Sequence, residues 1–275
     1  MTVTIRTICI ALAALAVIGC STGGSRQATD LRTRVEWLRP AGMVSAEVYG
    51  SGAGVWNEER AFRLPPADVT AIARAVGRVG FARMPDHFGA GESDFLRMRG
   101  KVTVNDKTVV QVMEGDQSEE LASLAAEILT RAESAARSGV TATSFDDALQ
   151  KIVSRTIPPE ALRITVQQRG DSGFLLNIRG GEAVARPFAK KSGYGQQRRL
   201  RLTAEELRSL AALLSELPPI ASAPVYTELR VEVLNQWKDL QARPEMAIAP
   251  NRNFDRIVEQ LRRLAERVME RGATA

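Results

Sequence analysis

Two stretches of the chain carry the same pattern of apolar and polar positions. In the first, Val69, Ile72, Val76 and Val79 follow one another at spacings of three, four and three, which gathers them on one face of a helix. In the second, Leu207, Leu210, Leu214 and Leu217 repeat those spacings, each 138 positions after its counterpart. The punctuation repeats as well. Arg63-Leu64-Pro65-Pro66 leads into the first helix and Arg201-Leu202 into the second, where Thr203-Ala204-Glu205-Glu206 has the form of a capping box. The first helix meets a stop at Gly80 and then Met84-Pro85, the second at Leu217-Pro218-Pro219. Proline enforces such a stop by removing a backbone donor and by restricting the residue before it.

The flanking segments read as strands. Val35 and Trp37 alternate with polar neighbours, and residues 45–49 and 55–56 flank the glycine-rich Gly50-Ser51-Gly52-Ala53-Gly54, which predicts a hairpin. Leu162, Ile164 and Val166 alternate in the second half, where Gly170-Asp171 and Gly180-Gly181 punctuate two further extended runs. Beyond each helix come more strands. Val102 and Val104 turn at Asn105-Asp106 into residues 109–112, and Leu229, Val231 and Val233 alternate before Asn235 and Trp237. A second helix closes each half, striped by Leu121, Leu124 and Ile128 in one and by Phe254, Ile257, Leu261, Leu264 and Val268 in the other. The expectation is an α+β chain of two tandem related modules, each β-β-β-α-β-β-α, with two helices over a small, mostly antiparallel sheet.

The N-terminus changes the picture from fold to location. A single cation, Arg6, precedes an apolar run over residues 8–18, too short to span a bilayer and of the length of a secretory signal. It ends in Val17-Ile18-Gly19-Cys20, which resembles the lipobox of bacterial lipoproteins. The resemblance implies cleavage before Cys20, acylation of its thiol and anchoring of residues 20–275 in a membrane by several acyl chains. Ser21 follows where an inner-membrane retention aspartate would stand, so the implied destination is the outer membrane. The other cysteine, Cys9, falls in the removed segment, which leaves no disulfide, thiol nucleophile or cysteine metal site in the mature chain. The domain reading is therefore signal peptide 1–19, lipidated cysteine and tether 20–30, first module 31–136, linker with a short helix 137–160, and second module 161–275.

Composition is that of an ordinary globular protein, and a net charge of +5 is too mild to argue for nucleic acid. One histidine, His87, cannot build a multi-histidine metal site, and no nucleophile elbow, phosphate loop or dinucleotide fingerprint occurs. Asp86, Glu92 and Asp94 around His87 match no calcium-loop spacing and read as a solvated glycine-rich loop. Of the carboxylate pairs Glu58-Glu59, Glu119-Glu120, Asp146-Asp147 and Glu205-Glu206, the last three fall at predicted helix starts, where the macrodipole accounts for them. No cofactor and no catalysis are expected. The largest charge anomaly is Lys190-Lys191-Ser192-Gly193-Tyr194-Gly195-Gln196-Gln197-Arg198-Arg199-Leu200-Arg201, read as a loop. Its five cations, Lys190, Lys191, Arg198, Arg199 and Arg201, are candidates for contact with an anionic envelope polymer or an acidic protein face. Trp37, Trp56 and Trp237 are expected in the core.

The Leu-Pro-Pro-x-x-Val entry at residues 64–69, the Gly-Phe-x-x-Met-Pro stop at residues 80–85, the paired strands and the closing helix look like the emfourin-type small inhibitors of bacterial metalloproteases, and are similar to lipoprotein domains of the same plan. The likeness covers residues 35–133 and more faintly 162–270. It implies fold, and leaves protease inhibition as an alternative to the main expectation of an anchored binding or scaffold module. An envelope hydrolase with an unrecognised carboxylate site is the second alternative.

Overall fold

The computed structural model describes residues 31–89, 98–244 and 251–274. The signal segment, Cys20 and the tether, together with Glu92 and Asp94, lie outside the described residues. The fold is α+β, with two largely antiparallel sheets. Contacts divide the described residues into two compact units, one of residues up to 53 with 63–135, the other of 54–62 with residues from 136 onward.

The first half comprises β1 (Arg32–Arg39), β2 (Gly42–Tyr49), β3 (Ala53–Trp56), β4 (Arg60–Arg63), α1 (Pro66–Arg78), β5 (His87–Phe88), β6 (Met98–Val104), β7 (Lys107–Val112) and α2 (Glu119–Ala136). Its sheet runs β4-β3-β2-β1-β6-β7-β5, antiparallel along β2-β1-β6-β7 and parallel where β5 meets β7. Alternation in β1 buries Thr33, Val35 and Trp37, which stand level with Val104, Val102 and Gly100 of β6. The opposite face carries Arg34, Glu36 and Lys101. Lys101 and Arg34 reach Glu36 at 2.8 and 2.6 Å. Burial pushes the Glu36 carboxyl up, but hydrogen bonds from Lys101 and Arg34 outweigh it and hold its pKa below the ordinary value. Gly52 turns the chain between β2 and β3 with φ +82°. A Cβ there would meet the Leu64 carbonyl oxygen at 2.6 Å, so glycine is required on both counts.

α1 starts with Pro66 in the first helical position, where the missing N–H costs nothing. It buries Val69, Ile72 and Ala75, while Val79 is the C-cap and Gly80 follows in the left-handed conformation. α2 buries Leu121, Leu124, Ala125, Ile128, Leu129 and Ala132. Arg131 on α2 meets Asp68 on α1 at 2.5 Å, and Arg78 on α1 meets Glu127 on α2 at 3.1 Å. Beyond α1, the Lys107 ammonium donates to the carbonyl oxygens of Ala82, at 3.1 Å, and of Met84.

The second half comprises α3 (Phe145–Val153), β8 (Leu162–Arg169), β9 (Ser172–Arg179), β10 (Glu182–Ala189), β11 (Gly193–Tyr194), β12 (Arg198–Arg201), α4 (Ala204–Leu214), β13 (Tyr226–Val233), β14 (Gln236–Ala242), α5 (Arg252–Arg271) and β15 (Ala273–Thr274). The sheet order is β14-β13-β8-β9-β10-β12-β15, with β11 paired to β10. One face takes Leu162, Ile164, Val166, Leu176, Ile178, Leu229, Val231 and Val233, all 1% exposed or less. α5 packs over β9, β10 and β12, and α3 over β13 and β14. α5 alone buries Phe254, Ile257, Val258, Leu261, Leu264, Ala265 and Val268. Each of its large aliphatic or aromatic side chains is worth about 1.5–3 kcal/mol of transfer free energy.

Three sequence expectations are corrected here. Each half has more strands than β-β-β-α-β-β-α, because β4, β5, β11, β12 and β15 are added. Residues 137–160 are not merely a linker. Ala148, Leu149, Ile152 and Ile157 are fully buried in the second unit's core, and Ala61 pairs with Val140 in the same unit. Trp37 is buried, but Trp237 on β14 is 60% exposed.

Candidate functional site

A groove of about 710 Å³ runs along α4 and α5 in the second unit. Its origin is local. α4 is started by Thr203, whose hydroxyl accepts from the Glu206 N–H at 3.2 Å while the Glu206 carboxylate accepts from the Thr203 N–H at 2.8 Å. With the start fixed, Leu207, Ala211 and Leu214 turn into the core and leave Leu210 and Leu213 half-buried at the edge. Those two side chains, with Leu202 and Leu264, line the groove as its apolar part.

Charge is sorted by helix. Glu205, Glu206 and Glu216 stand on the α4 side, Arg256, Arg263 and Arg267 on the α5 side. Two ion pairs cross the groove, Arg267 to Glu206 at 2.8 Å and Arg256 to Glu216. The pKa of Glu206 is held below the ordinary carboxylate value, first by the backbone N–H of Thr203, then, against the opposing effect of burial, by the Thr203 hydroxyl and the charge of Arg267. The Nε of Arg267 is buried and has no hydrogen-bond partner among the described residues. Arg263 is bound at 3.1 Å by Glu259 of its own helix. An apolar strip between an acidic and a basic edge has the chemistry to complement an amphipathic segment with the opposite edges.

The basic segment has another form than a loop. Lys190 and Lys191 sit exposed in the turn after β10, and the chain then returns as β11, where Tyr194 packs on Phe188 with ring centroids 5.2 Å apart. Arg198, Arg199 and Arg201 lie in strand β12. Register places Arg198 and Leu200 beside Ala185 and Ala183, on the helix-covered face, and Arg199 and Arg201 on the other. Arg198 donates to the Gly272 carbonyl at 3.2 Å, and Arg199 lies 3.7 Å from Glu182. The five cations are thus split between a turn and two faces of a sheet.

The carboxylate pairs do not converge. Glu119-Glu120 and Asp146-Asp147 stand at the starts of α2 and α3, and Glu58-Glu59 in the β3–β4 turn. Asp147 is bound by Lys151 and by the Thr143 N–H, which lower its pKa. Among the described residues no group of three or more His, Cys, Asp or Glu could hold a metal ion, and no helix is long and apolar enough to cross a membrane. The α4–α5 groove escapes sequence reasoning, although Arg256, Arg263 and Arg267, at spacings of seven and four, signal a basic stripe on one helix face. No protein-family model matches the chain, and no curated protein matches it.

Proposed function

We propose that this chain is a lipid-anchored cell-envelope protein, built of two related α+β modules, that works by binding a partner without catalysis. The observation that carries the binding reading is the α4–α5 groove, with its leucine lining, acidic α4 edge and basic α5 edge. The partner that fits is an amphipathic helical segment of another envelope protein, its basic edge on α4 and its acidic edge on α5.

The relation between the modules is supported by several pairs of features. The orders β4-β3-β2-β1-β6-β7 and β12-β10-β9-β8-β13-β14 visit the chain in the same succession, apart from the extra β11. Asp68 with Arg131 and Glu206 with Arg267 join the two helices of each half, and Asp68 lies 138 positions before Glu206, the offset of the apolar pattern. Lys107 holds the carbonyl of Met84 before Pro85, and Lys238 that of Leu217 before Pro218, at 2.7 Å. The anchor reading is supported by Val17-Ile18-Gly19-Cys20, with Ser21 favouring the outer membrane.

Lys190 and Lys191 favour a second contact, with an anionic envelope polymer, because both are exposed and make no ion pair among the described residues. The test starts with the full chain, expressed in a diderm bacterium fed an alkynyl palmitate. Cys20 should carry the label, and Cys20→Ala should lose it and leave the detergent phase. Mild crosslinking followed by mass spectrometry should then recover one envelope protein from wild type and lose it from the double charge reversal Arg256→Glu, Arg263→Glu. An unlabelled wild-type chain sinks the anchor. A partner captured equally by the double variant sinks the groove, and dose-dependent inhibition of a thermolysin-like protease by the purified chain would move the reading to the inhibitor alternative.

A further inference from the structure

The end row of the second sheet breaks the pattern that builds it. On the helix-covered face β8 supplies Leu162, Ile164, Val166 and then Gln168, while β13 supplies Val233, Val231, Leu229 and then Thr227. Gln168 and Thr227 stand opposite each other in register, 6% and 0% exposed. Two buried polar side chains at core positions are costly unless bonded, and local departures of this kind concentrate at functional sites. They are bonded in a chain. Thr227 Oγ1 donates to the Val225 carbonyl at 2.9 Å, Gln168 Nε2 donates to Thr227 Oγ1 at 3.2 Å, and Gln168 Oε1 accepts from the Arg262 guanidinium at 2.6 Å.

That chain fixes Arg262 at a second recess, of about 440 Å³, lined also by Ser172, Phe174, Val225, Glu266 and Met269. The volume lies within the roughly 300–1,000 Å³ of small-molecule sites. Gln168 uses one of the guanidinium's five donors, and the carboxylate paired with it among the described residues, that of Glu259, stays at 3.8 Å. One helical turn further along α5, Glu266 is exposed and makes no ion pair among the described residues. The recess therefore presents a cation held in place, an unpaired anion and an apolar wall of Phe174, Val225 and Met269.

We propose that this recess binds a small zwitterion, an α-amino acid with an apolar side chain. Its carboxylate is received by Arg262, its ammonium by Glu266, and its side chain lies on the apolar wall. A simple anion is disfavoured by Glu266, and a simple cation by Arg262. The inference does not depend on the anchor or on the α4–α5 groove, so either can fail without the other.

The experiment is calorimetric titration of the full chain, purified in detergent, with L-leucine, L-methionine and L-phenylalanine, and with the N-acetyl and methyl ester derivatives of whichever binds. Saturable binding of at least one free amino acid is expected, with each capped derivative weakened about tenfold or more. Arg262→Gln should abolish binding while the circular dichroism spectrum and thermal midpoint report a folded chain. Glu266→Gln, at a solvent-facing position that leaves the fold alone, should weaken the free amino acid and improve the N-acetyl derivative. Absence of binding by all three amino acids at millimolar concentration overturns the proposal. So does equal affinity for the free and N-acetyl forms, or binding that survives in a folded Arg262→Gln variant.

Discussion

A carbonyl oxygen just before a proline at a helix exit has lost its place in the helical ladder, and this chain gives it a lysine in both halves. Lys107 reaches the carbonyls of Ala82 and Met84, and Lys238 reaches that of Leu217. A hydrogen bond with a charged donor is worth about 1.5–3 kcal/mol when its loss strands a part-buried group. Replacing each lysine by methionine keeps the stem and deletes the ammonium. Lys107→Met and Lys238→Met should therefore each lower the free energy of unfolding by about 1–3 kcal/mol in urea titrations at neutral pH. A loss within error of zero in both would mean that water replaces the ammonium. Neither contact was legible in the sequence, because each joins residues about twenty positions apart whose meeting is set by strand register. The same limit hid the Arg267 to Glu206 pair, although Glu206 is legible as the reciprocal acid of the capping box that Thr203 opens.

Helices were the legible elements, because their signals are local. The Thr203 capping box, the Pro66 start of α1, the Gly80 stop and the buried stripe of α5 all follow from residues within a few positions of one another. Thr203→Ala removes the side-chain oxygen of the box and should cost about 1 kcal/mol, read as a lowered denaturant midpoint with an unchanged slope. Thr203→Ser, which keeps that oxygen, should stay near wild type, and a serine variant as weak as alanine would assign the loss to the methyl group instead. Strands were harder. β12 read as loop because Arg198, Arg199 and Arg201 dominate it, yet only Leu200 and the aliphatic stems need an apolar neighbour when a strand lies near a sheet edge. β1 is legible where Val35 and Trp37 alternate and β2 over residues 45–49, but not the Pro40-Ala41 turn that pairs them, since Arg39 stands opposite Gly42 only once the sheet forms. The sequence from Ser144 to about Arg155 reads as a short helix within a linker over residues 137–160. Its periodicity was visible, but the core it enters was not.

Across the whole molecule, charge does more to position surfaces than its modest net value suggests, and acid is the way to see it. Glu36 in the first unit and Asp147 and Glu206 in the second all have pKa values held below the ordinary ones, by partners that exist only in the folded chain. Above the unfolded values, near 4.5 for glutamate and 3.8 for aspartate, each carboxylate is ionised in both states and its native interactions stabilise the fold. As pH falls through that range the unfolded chain takes up protons that the folded chain refuses, so stability is lost progressively down to the folded values. The urea midpoint should hold steady from neutral pH to about pH 5 and decline below about pH 4.5. Glu36→Gln and Glu206→Gln should each begin lower at neutral pH and decline less steeply, because the proton-linked part has been removed in advance. A midpoint that stays constant to pH 3, or glutamine variants that fall in parallel with wild type, would show that these carboxylate interactions do not hold the fold.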